Sequence, residues 1–300
     1  MLDEMLKSLS KVELGKLDNV EIQSLLKKKL ATSLSENRAP MKDTKYWSAE
    51  SFGLDKVSLF NKLEYPQQDS VLAFASTMRL EEAYHIEYAG MSYAAKMSLL
   101  AQSVEEQRLY SIFAAEEARH FSYITQFFSL KNSSPAKPFV LFLNDTIARG
   151  NRMPLIFIVQ VLLEGWGLDH YQQMTGHCLD NTLKGYLSEI VADEASHHGS
   201  GVLLFDESKL DSNDFEFIIK VMTHFLNDVR VGPSGLMDCL FKVTGLISKE
   251  DQQLCYRELG AFDETSRKLN LLKKMMLKVN ANKTVSALEQ RDLFTPNLAC

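Results

Sequence analysis

Three of the seven histidines follow a glutamate by three positions: Glu82/His85, Glu117/His120 and Glu194/His197. On a helix, positions i and i+3 share a face, so each pair can offer a carboxylate and an imidazole to one metal ion. A single Glu-x-x-His arises easily by chance; a repeated arrangement does not. Glu117 follows Glu87 by the same interval that separates Glu194 from Glu164. Each leading glutamate has a glycine three residues on (Gly90, Gly167), and each trailing one has a histidine there (His120, His197). The chain thus reads E-x-x-G and then E-x-x-H, twice, and an acid precedes each trailing glutamate: Glu116 and Asp193.

The surroundings of these residues are apolar at helical spacing. Leu80, Ala83, Tyr84, Met91 and Ala94 share a face with Glu87, and Tyr110, Phe113, Phe121 and Ile124 with Glu117. Phe157, Val161, Leu168 and Tyr171 accompany Glu164, while Leu187, Ile190 and Val191 accompany Glu194. A charge on such a face is costly unless it is paired or bound to metal. Glu87, Glu117, His120, Glu164, Glu194 and His197 are therefore the candidate metal ligands, and around two cations they would share that cost. Glu82 and His85 are the rival pair on the first helix. Their side also carries Arg79 and Lys96, which reads as a solvated face.

The elements that must position these residues are helices. Long patterns cover roughly 68–102, 104–130, 153–175 and 180–205, with Lys131 to Pro135 after the second and Gly150-Asn151 before the third. Pro154 suits the first turn of the third. Asp18 or Asn19 is positioned to cap a helix through about Leu34, and Asp211 to Asp214 to cap one ending near Gly232-Pro233; another amphipathic pattern covers about 263–280. No stretch alternates well enough for a strand. The expected organisation is one all-α domain: an N-terminal helical extension over 1–65, a four-helix core over 66–205, C-terminal helices over 206–282 and a tail over 283–300.

Composition agrees with helices and narrows the function classes. Glycine and proline are sparse, at 14 and 7 of 300 residues. A net charge of −6 argues against a nucleic-acid binder, and Lys27 to Lys29 and Lys273-Lys274 read as solvated helix faces. The apolar stretch Leu155 to Leu163 is interrupted by Gln160, ends at Glu164 and is too short to span a bilayer. Cys178, Cys239, Cys255 and Cys300 show no metal or disulfide spacing, and the N-terminus has no secretory pattern, so a cytoplasmic setting is expected.

The repeated motif resembles that of the ferritin-like di-iron carboxylate superfamily, which takes one Glu from each of two helices and Glu-x-x-His from each of the other two. The resemblance covers about residues 70–205. It implies a ferritin-like four-helix bundle with additional N- and C-terminal helices. Glu87 and Glu164 take the place of the single carboxylates, Glu117/His120 and Glu194/His197 that of the paired ligands, and Glu116 and Asp193 that of acceptors behind the imidazoles. Ile124 stands where ribonucleotide reductase small subunits place a radical tyrosine, and Ile190 where arylamine N-oxygenases add a histidine. The cysteine-rich module of rubrerythrins is absent, and storage ferritins are shorter and generally lack the second histidine. The pattern comes closer to acyl desaturases, bacterial monooxygenase hydroxylases and aldehyde-deformylating oxygenases.

What the resemblance implies is an oxygen-activating oxidoreductase that holds two iron ions and acts on a small, largely apolar organic substrate. Its partners would be O₂, that substrate and an external electron donor, since no flavin or nicotinamide motif is present. Manganese or a mixed manganese–iron pair suits the same ligands. The alternative is a non-enzymatic protein that binds or oxidises iron. Gly90 and Gly167 leave space beside the ligands, either for close helix packing or for a pocket that admits O₂ or substrate.

Overall fold

The computed structural model describes residues 20–30, 41, 44–128, 138–245 and 247–298. Among these residues the fold is all-helical, with no strand; one isolated bridge joins Trp47 and Cys178. No described helix is long and apolar enough to cross a membrane. The expected caps Asp18 and Asn19, the segment Lys131 to Pro135, and Cys300 lie outside the described residues.

The chain divides into two compact units, Met1–Lys42 with Leu80–Arg149, and Asp43–Arg79 with Gly150–Cys300. In the first unit, α1 spans Val20–Leu30 and leaves Lys28 and Lys29 exposed. Helix α2, Tyr65–Leu100, contributes its residues from Leu80 onward to this unit. Helix α3, Val104–Ile124, begins where the Ser103 side chain accepts from the Glu106 amide, and the Glu106 carboxylate accepts from Gln102 N. Such a cap contributes about 1 kcal/mol. Ring contacts of Tyr93 with Tyr110, and of Tyr88 and Tyr84 with Phe121, show α2 and α3 packed antiparallel.

Helix α4, Pro138–Arg149, was not anticipated from the sequence pattern. Lys96 closes its C-terminal end, with Nζ donating to the carbonyls of Ile147 and Ala148 at 2.8 and 3.0 Å. Burial holds the Lys96 ammonium below its ordinary pKa. Arg79, in the other unit, donates to Ser51 Oγ and Ser51 O and stacks over Phe52. The side of α2 expected to face solvent at these two residues is therefore half-buried, because both cations satisfy backbone carbonyls.

In the second unit, residues 44–48 run extended against the end of a helical segment. The Trp47 indole is fully buried and donates to Met174 O at 2.8 Å, Leu179 N donates to Tyr46 O, and Tyr46 N donates to Ser76 Oγ. The segment itself starts as a short α-turn, Arg152–Leu155, widens to a π-helical stretch over Ile156–Leu163, and continues as helix α5, Glu164–Gly176. Helix α6, Asn181–Leu204, is capped by Asp180, whose side chain accepts from the amides of Thr182 and Leu183; it packs on both α5 and the π stretch.

Helix α7, Ser212–Arg230, starts at an Asp211 cap and lays a buried stripe against later helices. Two shorter ones follow, α8 at Ser234–Thr244 and α9 at Lys249–Glu258. Helix α10, Ala261–Lys278, packs on α7 and on α5. The expected tail over 283–300 is corrected at its start: Asn282–Glu289 forms helix α11 and buries Thr284, Val285 and Leu288. Glu207 secures its first turn by accepting from Thr284 N, Thr284 Oγ1 and Lys283 N.

Candidate metal centre

Each unit gathers two carboxylates and one imidazole. In the first, α2 presents Glu87 while α3 presents Glu117 and, one turn later, His120. One ligand atom from each lies within 4.8 Å of the others. His120 Nδ1 is 3.2 Å from Glu87 Oε2 and 3.9 Å from Glu117 Oε2. In the second, α5 presents Glu164 as its first residue, and α6 presents Glu194 and His197. These three also offer ligand atoms within 4.8 Å of one another, with His197 Nδ1 3.3 Å from Glu194 Oε2.

Burial makes the two triads chemically demanding. Glu87 and His120 are 0% exposed, Glu117 4%, Glu194 3% and His197 2%, whereas Glu164 is half-buried. A carboxylate taken from water without compensation costs several kcal/mol. Two carboxylates and a neutral imidazole match the charge of one divalent cation. Two donors each about 2.1 Å from one ion and at right angles to each other stand about 3 Å apart. The 3.2 and 3.3 Å separations agree with that geometry. The buried glutamate–histidine groups thus have the donors and the spacing to bind metal ions.

The two glycines singled out by the sequence repeat differ. An ideal Cβ on Gly90 would lie 2.3 Å from Glu117 Oε2 and 2.6 Å from Glu117 Cδ. The Glu117 carboxylate occupies that space, so Gly90 seats a candidate ligand rather than opening a pocket for a small molecule. At Gly167 a Cβ would meet nothing within 4 Å. The Cβ position is thus open at Gly167 and filled at Gly90.

Glu116 and Asp193 are half-buried next to the candidate ligands Glu117 and Glu194. Glu82 and His85 are half-buried as well and belong to neither triad; the His85 ring stands edge-on to Tyr84. His198, adjacent to His197, turns its Nδ1 to the Val161 carbonyl at 3.0 Å, and desolvation holds its pKa below the usual value. A ring nitrogen facing a carbonyl must carry the proton, so this imidazole serves as a donor to the backbone.

Sequence reasoning missed the π-helical stretch and the role of Gln160 within it. Gln160 is fully buried and donates from Nε2 to His197 O at 3.1 Å and to Ser200 Oγ at 2.5 Å. The available signal was the one polar residue in an otherwise apolar run. No protein-family model, curated protein or solved structure matches this chain.

Proposed function

We propose that the protein is a di-iron, oxygen-activating oxidoreductase of ferritin-like type that acts on a small, largely apolar organic substrate. The observation that carries this reading is the pair of buried triads, each with two carboxylates and one imidazole, supplied by α2/α3 and α5/α6. Each triad takes one ion, and the superfamily that the motif resembles holds two irons with ligands of these types. When bound, two ferrous ions supply the electrons with which O₂ is reduced; manganese in one or both places is the variant the donor set also allows.

The chain's own residues do the rest. Glu87, Glu117, Glu164 and Glu194 hold cationic charge where water does not, and His120 and His197 bind as neutral imidazoles, so loading releases protons. Glu116 and Asp193 serve as acceptors that orient the imidazoles. Tyr110, Phe113, Phe157, Val161, Tyr171, Leu187 and Ile190 are buried on the ligand-bearing faces and exclude water from the reacting groups. The opening at Gly167 is where substrate is admitted. An external protein or cosubstrate supplies further electrons, and the buried cysteines Cys178, Cys239 and Cys255, none in a disulfide, suit a reducing cytoplasm.

The test is anaerobic loading of the metal-free protein with ferrous iron, followed by O₂. Two irons per chain, a magnetically coupled ferric pair by Mössbauer spectroscopy, and O₂ uptake above a metal-free control are expected. His120→Ala and Glu194→Ala should each lower the iron content sharply. Oxygen uptake equal to the control refutes oxygen activation. Uptake that stops at one cycle per iron, whatever reductant is added, makes the protein an iron-oxidising one instead.

A further inference from the structure

Gln160 stands at a close approach between the π-helical stretch Ile156–Leu163 and α6. A Cβ on Gly201 would lie 2.9 Å from Gln160 Cβ and 3.0 Å from its backbone carbonyl carbon, so only glycine permits the contact. Across this contact the Gln160 amide donates to His197 O and to Ser200 Oγ, and Ser200 Oγ donates to the same His197 carbonyl at 2.9 Å. One carbonyl, that of a candidate ligand, receives two side-chain donors. Burying a primary amide in an apolar wall costs free energy that these bonds offset.

The position of Gln160 in the chain gives the contact its use. A π-turn takes more residues than an α-turn, so Gln160 and Glu164 project from nearly the same side of their segment. The residue that grips the His197 turn therefore sits one turn before the ligand that faces His197. Helix α5 begins with Glu164, directly after the π stretch.

We propose that Gln160 is a positioning residue for metal binding at Glu164, Glu194 and His197, clamping the turn of Glu164 to the turn of His197 through Ser200 and Gly201. This rests on the reading of that triad as a metal site. Removing a hydrogen-bond partner behind a ligand costs about 10–100-fold in metal affinity. Gln160→Met keeps the length and volume of the side chain and removes its donors.

The experiment titrates cobalt(II) into the full-length protein and follows its visible absorption. His120→Ala is the background that disables the first triad, and His197→Ala the one that disables the second. In the His120→Ala background, Gln160→Met should weaken cobalt binding about tenfold or more and alter the ligand-field bands. In the His197→Ala background it should leave the titration unchanged. Ser200→Ala, which keeps the amide contact to His197, should weaken the second triad by only a few-fold, and it decides the matter if Gln160→Met does not fold. A merely structural glutamine would lower the melting temperature of the metal-free protein yet leave both cobalt affinities within about twofold; that result, or equal losses at both triads, overturns the proposal. Failure of the protein without these substitutions to bind cobalt at all overturns the metal reading instead.

Discussion

Alanine at position 90 separates the stability of α2 from the metal chemistry of the first triad. The added Cβ would lie 2.3 Å from Glu117 Oε2, 2.6 Å from Cδ and 3.2 Å from Oε1. Carbon–oxygen contacts settle near 3.4 Å, so the carboxylate must withdraw by about 1 Å. A metal–oxygen bond tolerates only about 0.2 Å before it is lost. The first triad would then keep Glu87 and His120 alone, and its affinity should fall at least tenfold, about 1.4 kcal/mol. The helix responds in the opposite sense. Alanine is favoured over glycine in a helix interior by about 1 kcal/mol, which offsets much of the roughly 1–3 kcal/mol cost of crowding a flexible side chain. The metal-free Gly90→Ala protein should therefore unfold within about 2 kcal/mol of the parent protein by urea denaturation. Cobalt titration in the His197→Ala background reads the first triad directly. Gly167→Ala is the control: with nothing within 4 Å of its Cβ, it should gain up to about 1 kcal/mol and leave metal binding unchanged. A folded Gly90→Ala protein whose first triad binds cobalt as before refutes the seating of Glu117 on Gly90.

Three further outcomes follow from the same structure. Glu82→Gln should leave two metal ions per chain by elemental analysis, whereas Glu87→Gln should lower the content. Trp47→Phe loses the indole donor to Met174 O and should cost about 1–2 kcal/mol, and Trp47→Ala about 3–5 kcal/mol, both read by urea denaturation. Burial pushes the Cys178 thiol from an ordinary value of 9.0 up to about 11. The unfolded chain loses this proton first, so stability should fall as pH rises from about 9 to about 11, and Cys178→Ala should flatten that part of the profile.

The helices that carry the candidate ligands were legible because each candidate acid sits among apolar residues at helical spacing, a pattern that depends only on local periodicity. Tyr110, Phe113, Glu117 and His120 are all buried on one face of α3, as their spacing implies. The π stretch was not legible: Ile156 to Leu162 is buried all round, so periodicity carries no information about which carbonyl each amide finds. The seat at Gly90 was illegible for a different reason, since it depends on where another helix places Glu117. Arg79 and Lys96 misled because a cation's type does not reveal whether its partner is water or a backbone carbonyl. Helices α8, α9 and α11 are short and bury only a few residues each, which leaves too little pattern to separate them from loops.

The bond from the Trp47 indole to Met174 joins residues 127 positions apart in the chain. During synthesis the order of emergence turns that separation into a delay. At about 5–20 residues per second, the indole leaves the ribosome on the order of ten seconds before its acceptor does. The segment Leu80–Arg149, continuous in the chain, is complete before Met174 has been added, while the unit that holds Trp47 is still missing more than half its length. A large aromatic side chain therefore spends that interval without its Met174 partner. The wait leaves the indole to transient partners within the nascent chain or to a chaperone.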